Sequence, residues 1–135
     1  MVNKLTSAAI AASVFVVASA AATSGASAAC IYSEWINTMA NHAIASMTGR
    51  DCNGVLALNA IGQDAQGNTF DFGWTPMQIT APGSFAATFA GAEATNDVIM
   101  TVHASDKTMN TKIITTTNDG QVTEWFAHFR LDSIH

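Results

Sequence analysis

The chain has 135 residues, 49% of them hydrophobic and 11% charged, with ten carboxylates against five cations and a formal net charge of −5. A chain this acidic, with no basic cluster, argues against a nucleic-acid partner and against attraction to anionic membrane surfaces. Charged residues are well below the usual quarter of a globular chain, so Thr, Asn, Ser and Gln must supply the polar surface, a profile that fits an extracytoplasmic β-rich protein better than a cytoplasmic enzyme.

Residues 1–28 read as an export signal. One cation, Lys4, precedes an apolar run at 8–22. A small polar stretch follows at 23–27, with Ala26-Ser27-Ala28 in cleavage position. The apolar run is shorter than the roughly 20 residues a helix needs to cross a bilayer core, and it is rich in weakly inserting alanine. No stable membrane span is therefore expected once the signal is removed. Cleavage after Ala28 leaves residues 29–135 as a single domain, with four cations (Arg50, Lys107, Lys112 and Arg130) against ten carboxylates, a formal charge of −6. The expected location is periplasmic or extracellular. Small residues before Cys30 leave a lipid anchor on that cysteine as the alternative, although Ser27 stands where a lipoprotein signal usually carries Leu or a similar apolar residue.

Past the signal, Trp35, Ile36, Met39, Ala40, Ala43, Ile44 and Met47 recur at the spacing of one helical stripe, which predicts an amphipathic helix over 33–48. Ser33 is placed to cap it, Glu34 to favour its positive end, and Gly49 to end it. The pair Cys30 and Cys52 invites a disulfide in an oxidising compartment. An intervening helix at 1.5 Å per residue would hold the cysteines apart unless both flanks fold back along it, so the bond is conditional on that geometry.

After Asn53-Gly54 the pattern changes to strands. The continuous apolar run 55–61 and the alternating 69–74 flank the turn residues 63–68 and predict a hairpin. Residues 75–83 read as a loop around a short segment at 77–80, 84–90 as a strand, and 91–96 as a loop. Strands are expected at 98–105, 109–117 and 122–131, with turns at Asp106-Lys107 and Asp119-Gly120. The aromatics Trp35, Phe70, Phe72, Trp74, Phe85, Phe89, Trp125 and Phe129 read as core. The whole predicts an α+β domain: one N-terminal helix packed on a curved antiparallel sheet of five or six strands, in the style of cystatin-like or NTF2-like packing. The closing stretch 119–132 resembles the final strand of NTF2-like proteins, although the several N-terminal helices of that family have no counterpart here.

Chemistry-bearing motifs are sparse. Metal-ligand spacings, serine or cysteine nucleophile motifs and phosphate loops are absent, so neither a metal nor a cofactor is expected. Asp64-x-Gln66-x-Asn68 resembles the start of a calcium loop, but Thr75 stands where the closing bidentate glutamate belongs, and a polar turn accounts for it better. His42 falls on the polar side of the expected helix. His103 and His128, with Glu124, are the candidates for acid–base work. Pairing about the two turns sets His103 opposite Asn110 and His128 opposite Thr111, on different faces, and a one-residue slip would bring the two histidines together. Phe126 is expected on the face opposite Trp125 and Phe129, next to His128 and across from Ile113, as a ligand or interface patch that could support a homodimer. The sequence therefore predicts a small exported binding or protein-interaction domain without catalytic activity. The alternatives are a small-ligand binder or small acid–base enzyme with a pocket between helix and sheet, and a surface-structural subunit.

Overall fold

The apolar stripe at 35–47 is made by two strands and not by a helix. In the computed structural model, which describes residues 29–39 and 43–135, Cys30–Asn37 forms strand β1 and Ile44–Cys52 forms β2. They run antiparallel, with Trp35 opposite Met47. Burial alternates with a period of two: Ser33 and Trp35 on β1, and Met47, Gly49 and Asp51 on β2, are buried. Two such alternations, interrupted by the connection between the strands, imitate a 3.6-residue period. Helix propensity is worth only tenths of a kcal/mol per residue, and pairing on both edges of each strand outweighs it. The described residues contain no helix. Ala40, Asn41 and His42, and the export segment 1–28, lie outside the described residues.

Six more strands follow: β3 (Val55–Gln63), β4 (Thr69–Ala81), β5 (Ser84–Ala90), β6 (Ala94–His103), β7 (Thr108–Thr117) and β8 (Val122–Ile134). Each pairs antiparallel with the next, and β8 returns to β1, so the sheet closes as an eight-stranded up-and-down barrel. The expected α+β arrangement is thus replaced by an all-β one. No helix among the described residues covers the sheet; the sheet covers itself, and its inward side chains fill the interior, as eight strands allow. Two expected loops also become strand. Residues 75–81 continue β4, with Pro76 opposite Ala57, and β6 starts at Ala94.

The core is formed by Trp35, Met47, Leu58, Phe85, Val98, Met100, Met109, Ile113 and Phe129, all fully buried. One end of the barrel is closed by short turns. Asn53 and Gly54 have φ of 55° and 89°, the two positive values a type I′ hairpin requires. The carboxylate of Asp51 accepts a hydrogen bond from the Gly54 amide at 2.6 Å. At the same end Cys30 and Cys52 are cross-strand partners with Cα atoms 4.2 Å apart, joined by a disulfide. The obstacle foreseen in the sequence disappears because the chain returns as a hairpin, which brings the two cysteines together without a fold-back.

The disulfide links cysteines 22 residues apart, a loop for which the chain-entropy model gives about 3 kcal/mol. The double substitution Cys30→Ser/Cys52→Ser is expected to lower the free energy of unfolding in urea by about that amount. The far-ultraviolet circular dichroism should remain that of a β protein. An unchanged urea midpoint would mean that the bond is not formed.

Candidate functional site

At the end of the barrel away from the disulfide the described residues leave a cavity. The connections 64–68, 91–93 and 118–121 lie at this end, where Ala43, at the entry to β2, and Asp64 border this cavity of about 190 Å³. Its wall is apolar: Ile44 from β2, Phe70 and Phe72 from β4, Phe89 from β5, Val98 from β6, Ile113 from β7 and Trp125 from β8. Gln63, Asp64 and Asn96 add polar groups.

Two local features place the aromatic pair at this mouth. Gly62 is paired with Phe70, and a Cβ at Gly62 would lie 2.5 Å from the Phe70 ring and 2.8 Å from that of Phe72. Only glycine leaves room for both rings. Gly73, at φ 84°, then breaks the alternation of β4 where the β3–β4 register shifts between Asn59 and Ile61. The Asp71 carboxylate fixes this break by accepting from the Gly73 amide at 2.7 Å and from Asn59 Nδ2 at 2.8 Å. These hydrogen bonds, the Gly73 amide first, hold the Asp71 carboxyl below its usual value. Past the break Trp74 emerges on the outer wall, 45% exposed, with the Arg50 guanidinium 4.4 Å from its ring centre. Phe70, Phe72 and Trp74 therefore do not share a core face. Two rim the mouth and the third is outside.

The β4–β5 ladder is the shortest of the eight, running only from Met77↔Ala87 to Ala81↔Ser84. Beyond it, Thr75 Oγ1 donates to the Thr88 carbonyl at 2.7 Å, and the rings of Phe72 and Phe89 meet across the seam at 5.7 Å. A side-chain bond and a ring contact thus replace the backbone ladder along one side of the cavity.

Deeper polar order comes from three residues. Asn96 on β6 is the cross-strand partner of both Phe89 and Thr115. Trp125 Nε1 donates to Thr115 Oγ1 at 3.4 Å, and Thr115 Oγ1 donates to Asn96 Oδ1 at 2.6 Å. Asp64, by contrast, is occupied with its own turn. Its Oδ1 accepts from the amides of Gln66 and Asn68, both at 2.9 Å, and its Oδ2 from Asn68 Nδ2 at 3.2 Å. These bonds, led by the Asn68 amide, hold its carboxyl below the usual 3.8. The carboxylate fixes a rim turn and is poorly placed to act as an acid.

The residues singled out in the sequence lie elsewhere. His103 and His128 share the outer wall, because the β7–β8 register is one residue from that expected, whereas the β6–β7 register differs by two and keeps its face. His103 pairs with Thr108 and His128 with Asn110. Four-residue connections at 104–107 and 118–121, with Lys107 at φ 61° and Gly120 at φ 90°, replace the two-residue turns expected from the sequence. Asn110 lies between the two histidines, its Nδ2 3.1 Å from His103 Nε2, and His128 Nδ1 is 2.8 Å from Thr38 Oγ1. Neither histidine reaches the cavity. Glu124 is also outside, 3.7 Å from Lys112 Nζ in an exposed ion pair. Phe126 is outward and 59% exposed, but its partner is Lys112 and not Ile113. Ile113 faces inward opposite Trp125 and is fully buried, so it belongs to the cavity floor and not to an outer patch. Met100 and Val102 are likewise buried, which leaves Ile99 as the apolar neighbour of Phe126 beyond Lys112. Among the described residues no group of three or more His, Cys, Asp or Glu is arranged to hold a metal ion.

Sequence reasoning missed the cavity because its aromatics are indistinguishable from core in a linear pattern. The usable signal was Gly62 and Gly73 flanking the Phe70–Phe72 pair, small residues that either make room for rings or redirect them. Comparison with protein-family models, with curated proteins and with solved structures finds no match to this chain.

The lowered Asp64 carboxyl has a definite sign. Its folded value lies below the unfolded 3.8, so the rim turn is stabilised above that pH. The contribution is lost as pH falls through the folded value. Urea midpoints measured from about pH 5 down to about pH 2 should fall less steeply for Asp64→Asn than for the parent protein. Parallel curves would show that the turn does not depend on this charge.

Proposed function

We propose that this chain is an exported binding protein without catalytic activity, which takes one small, mainly apolar molecule into the open end of its barrel. The observation that carries the reading is the asymmetry of the interior. One end is packed and tied by Cys30–Cys52, while the other keeps a cavity of about 190 Å³ behind half-exposed Phe70 and Phe72. A dry apolar cavity of roughly 150 Å³ is enough to bind benzene. Burial of an aromatic ring by such walls supplies the driving force at about 25 cal/mol per Å² of apolar area. The acid–base alternative relied on His103, His128 and Glu124, and all three lie on the outer wall away from this cavity.

Two further observations support an exported, non-spanning protein. A disulfide is consistent with an oxidising environment, and the periplasm or the extracellular space supplies one. The outward positions on β6 to β8 carry Asp97, Thr101, His103, Asn110, Lys112 and Glu124 beside Ile99 and Phe126, while the inward positions are mainly apolar. A barrel that spans a bilayer has the reverse pattern. Association through Phe126 and Ile99 is the second reading, favoured by their exposure of 59% and 40%. The two side chains lie either side of Lys112 and cover far less than the roughly 800 Å² per partner of a stable interface.

Toluene titrated into the ¹⁵N-labelled mature protein should shift the amide signals of Ile44, Phe72 and Ile113 and the indole signal of Trp125. Ala43→Phe, which sets a ring at the cavity rim, should abolish those shifts, and Phe126→Glu should leave them intact. Shifts centred on Phe126 and Ile99, or none at all, would overturn the proposal.

A further inference from the structure

The polar chain inside the mouth says what the ligand must carry, an inference that rests on the binding reading above. An indole Nε1 can only donate, so the Thr115 hydroxyl oxygen accepts from Trp125. The Thr115 hydroxyl in turn donates its own proton to Asn96 at 2.6 Å. The Asn96 atom facing Thr115 is the acceptor Oδ1, which leaves Nδ2 pointing away from Thr115. Among the described residues no hydrogen bond engages that Nδ2, and Asn96 lines the cavity. Asn96, together with Gln63, thus sets a neutral side-chain amide in the lining of an otherwise apolar, aromatic mouth.

Charge narrows the class further. No Lys, Arg or His is among the described residues lining the cavity, and the one charged group there is the Asp64 carboxylate, already bonded within its turn. Among the described lining residues a carboxylate or phosphate ligand would find no cation to pair with and would lie next to a like charge, a cost far above the gain of one amide hydrogen bond. A cationic ligand would find only an Asp64 whose oxygens are committed to backbone and side-chain donors. The walls contribute Phe72, Phe89 and Trp125, whose rings favour a flat aromatic partner in offset or edge contact.

We infer that the ligand is a neutral aromatic molecule of one or two rings bearing a carbonyl or hydroxyl oxygen, which accepts a hydrogen bond from Asn96 Nδ2 while the ring lies among Phe72, Phe89 and Trp125. Asn96 is then the residue that sets orientation and specificity, and the aromatic wall supplies most of the affinity.

Three probes of nearly equal size separate the elements of this statement: acetophenone (ring and carbonyl), ethylbenzene (ring alone) and benzoate (ring and anion). Each is titrated into the mature protein and followed through the indole signal of Trp125 and the side-chain amide signal of Asn96. Acetophenone is expected to bind at least tenfold more tightly than ethylbenzene and to shift the Asn96 amide, and benzoate is expected not to bind. In Asn96→Leu, which keeps the branched shape of the side chain and removes its polar atoms, acetophenone should weaken to the level of ethylbenzene while ethylbenzene holds or improves. The gain for ethylbenzene would show that the variant is folded and its cavity intact. Equal affinities for acetophenone and ethylbenzene in the parent protein would overturn the assignment of Asn96 and leave the cavity reading standing, as would tight binding of benzoate. Failure of all three probes would overturn both.

Discussion

Everything in this structure depends on β1 being paired on both edges. Its pairing with β2 runs from Cys30↔Cys52 to Ile36↔Ser46, and its pairing with β8 runs from Ser33↔Ile134 to Asn37↔Phe129. Were residues 30–37 helical, β2 and β8 would each be left with a bare edge, and exposed edges invite aggregation. Closure also fixes the diameter. Eight strands make an interior that side chains almost fill, so the volume of each inward residue decides whether a section of the barrel is packed or hollow. The disulfide joins β1 to β2 at one end. Reciprocal backbone bonds between Tyr32 and His135, with N···O distances of 2.8 and 2.9 Å, extend the β1–β8 seam at that same end.

The cavity is the consequence of how inward volume is distributed. Toward the disulfide and through the middle, large residues such as Trp35, Phe85, Met100, Met109 and Phe129 occupy the interior without exposure. At the other end the inward or mouth positions include Gly62, Ala43 and Asn96, and the two phenylalanines of β4 rim the space without filling it. The same end contains the short β4–β5 ladder, where Thr75 and the Phe72–Phe89 contact stand in for backbone pairing. Weak pairing and missing volume coincide, so the part of the barrel that opens at least cost is the part next to the cavity.

Parts of this are legible in the sequence. The strands of the C-terminal half are close to where alternation and β-branched residues put them, and Asp64 organises the turn that the cluster at 63–68 announces. The stretch 33–48 misleads because Trp35, Ile36, Ile44 and Met47 satisfy a helical period by the accident of where two strands meet their connection. Periodicity reports which residues are buried, and it cannot report that a chain reverses between them. The histidines show the same limit at finer scale. A two-residue turn at Asp119-Gly120 would put His103 and His128 on opposite faces, whereas the β7–β8 ladder closes with Thr117 bonded to Gln121 and Thr116 opposite Val122, which moves His128 by one place onto the face of His103. That slip also exchanges Ile113 for Lys112 beneath Phe126, which turns an expected interface residue into cavity floor. Register depends on turn geometry, and turn geometry depends on positive φ at Lys107 and Gly120, of which only the glycine is readable in advance.

A barrel of this size that keeps one hollow, apolar end should admit xenon there. Xenon enters cavities of that kind and needs no hydrogen bond to do so, which makes it independent of any assumption about the ligand. Crystals of residues 29–135 pressurised with xenon should show a single internal site bounded by Phe72, Phe89, Ile113 and Trp125, with the disulfide end empty of xenon. An interior without xenon, with Phe70 and Phe72 collapsed into the mouth, would contradict the account.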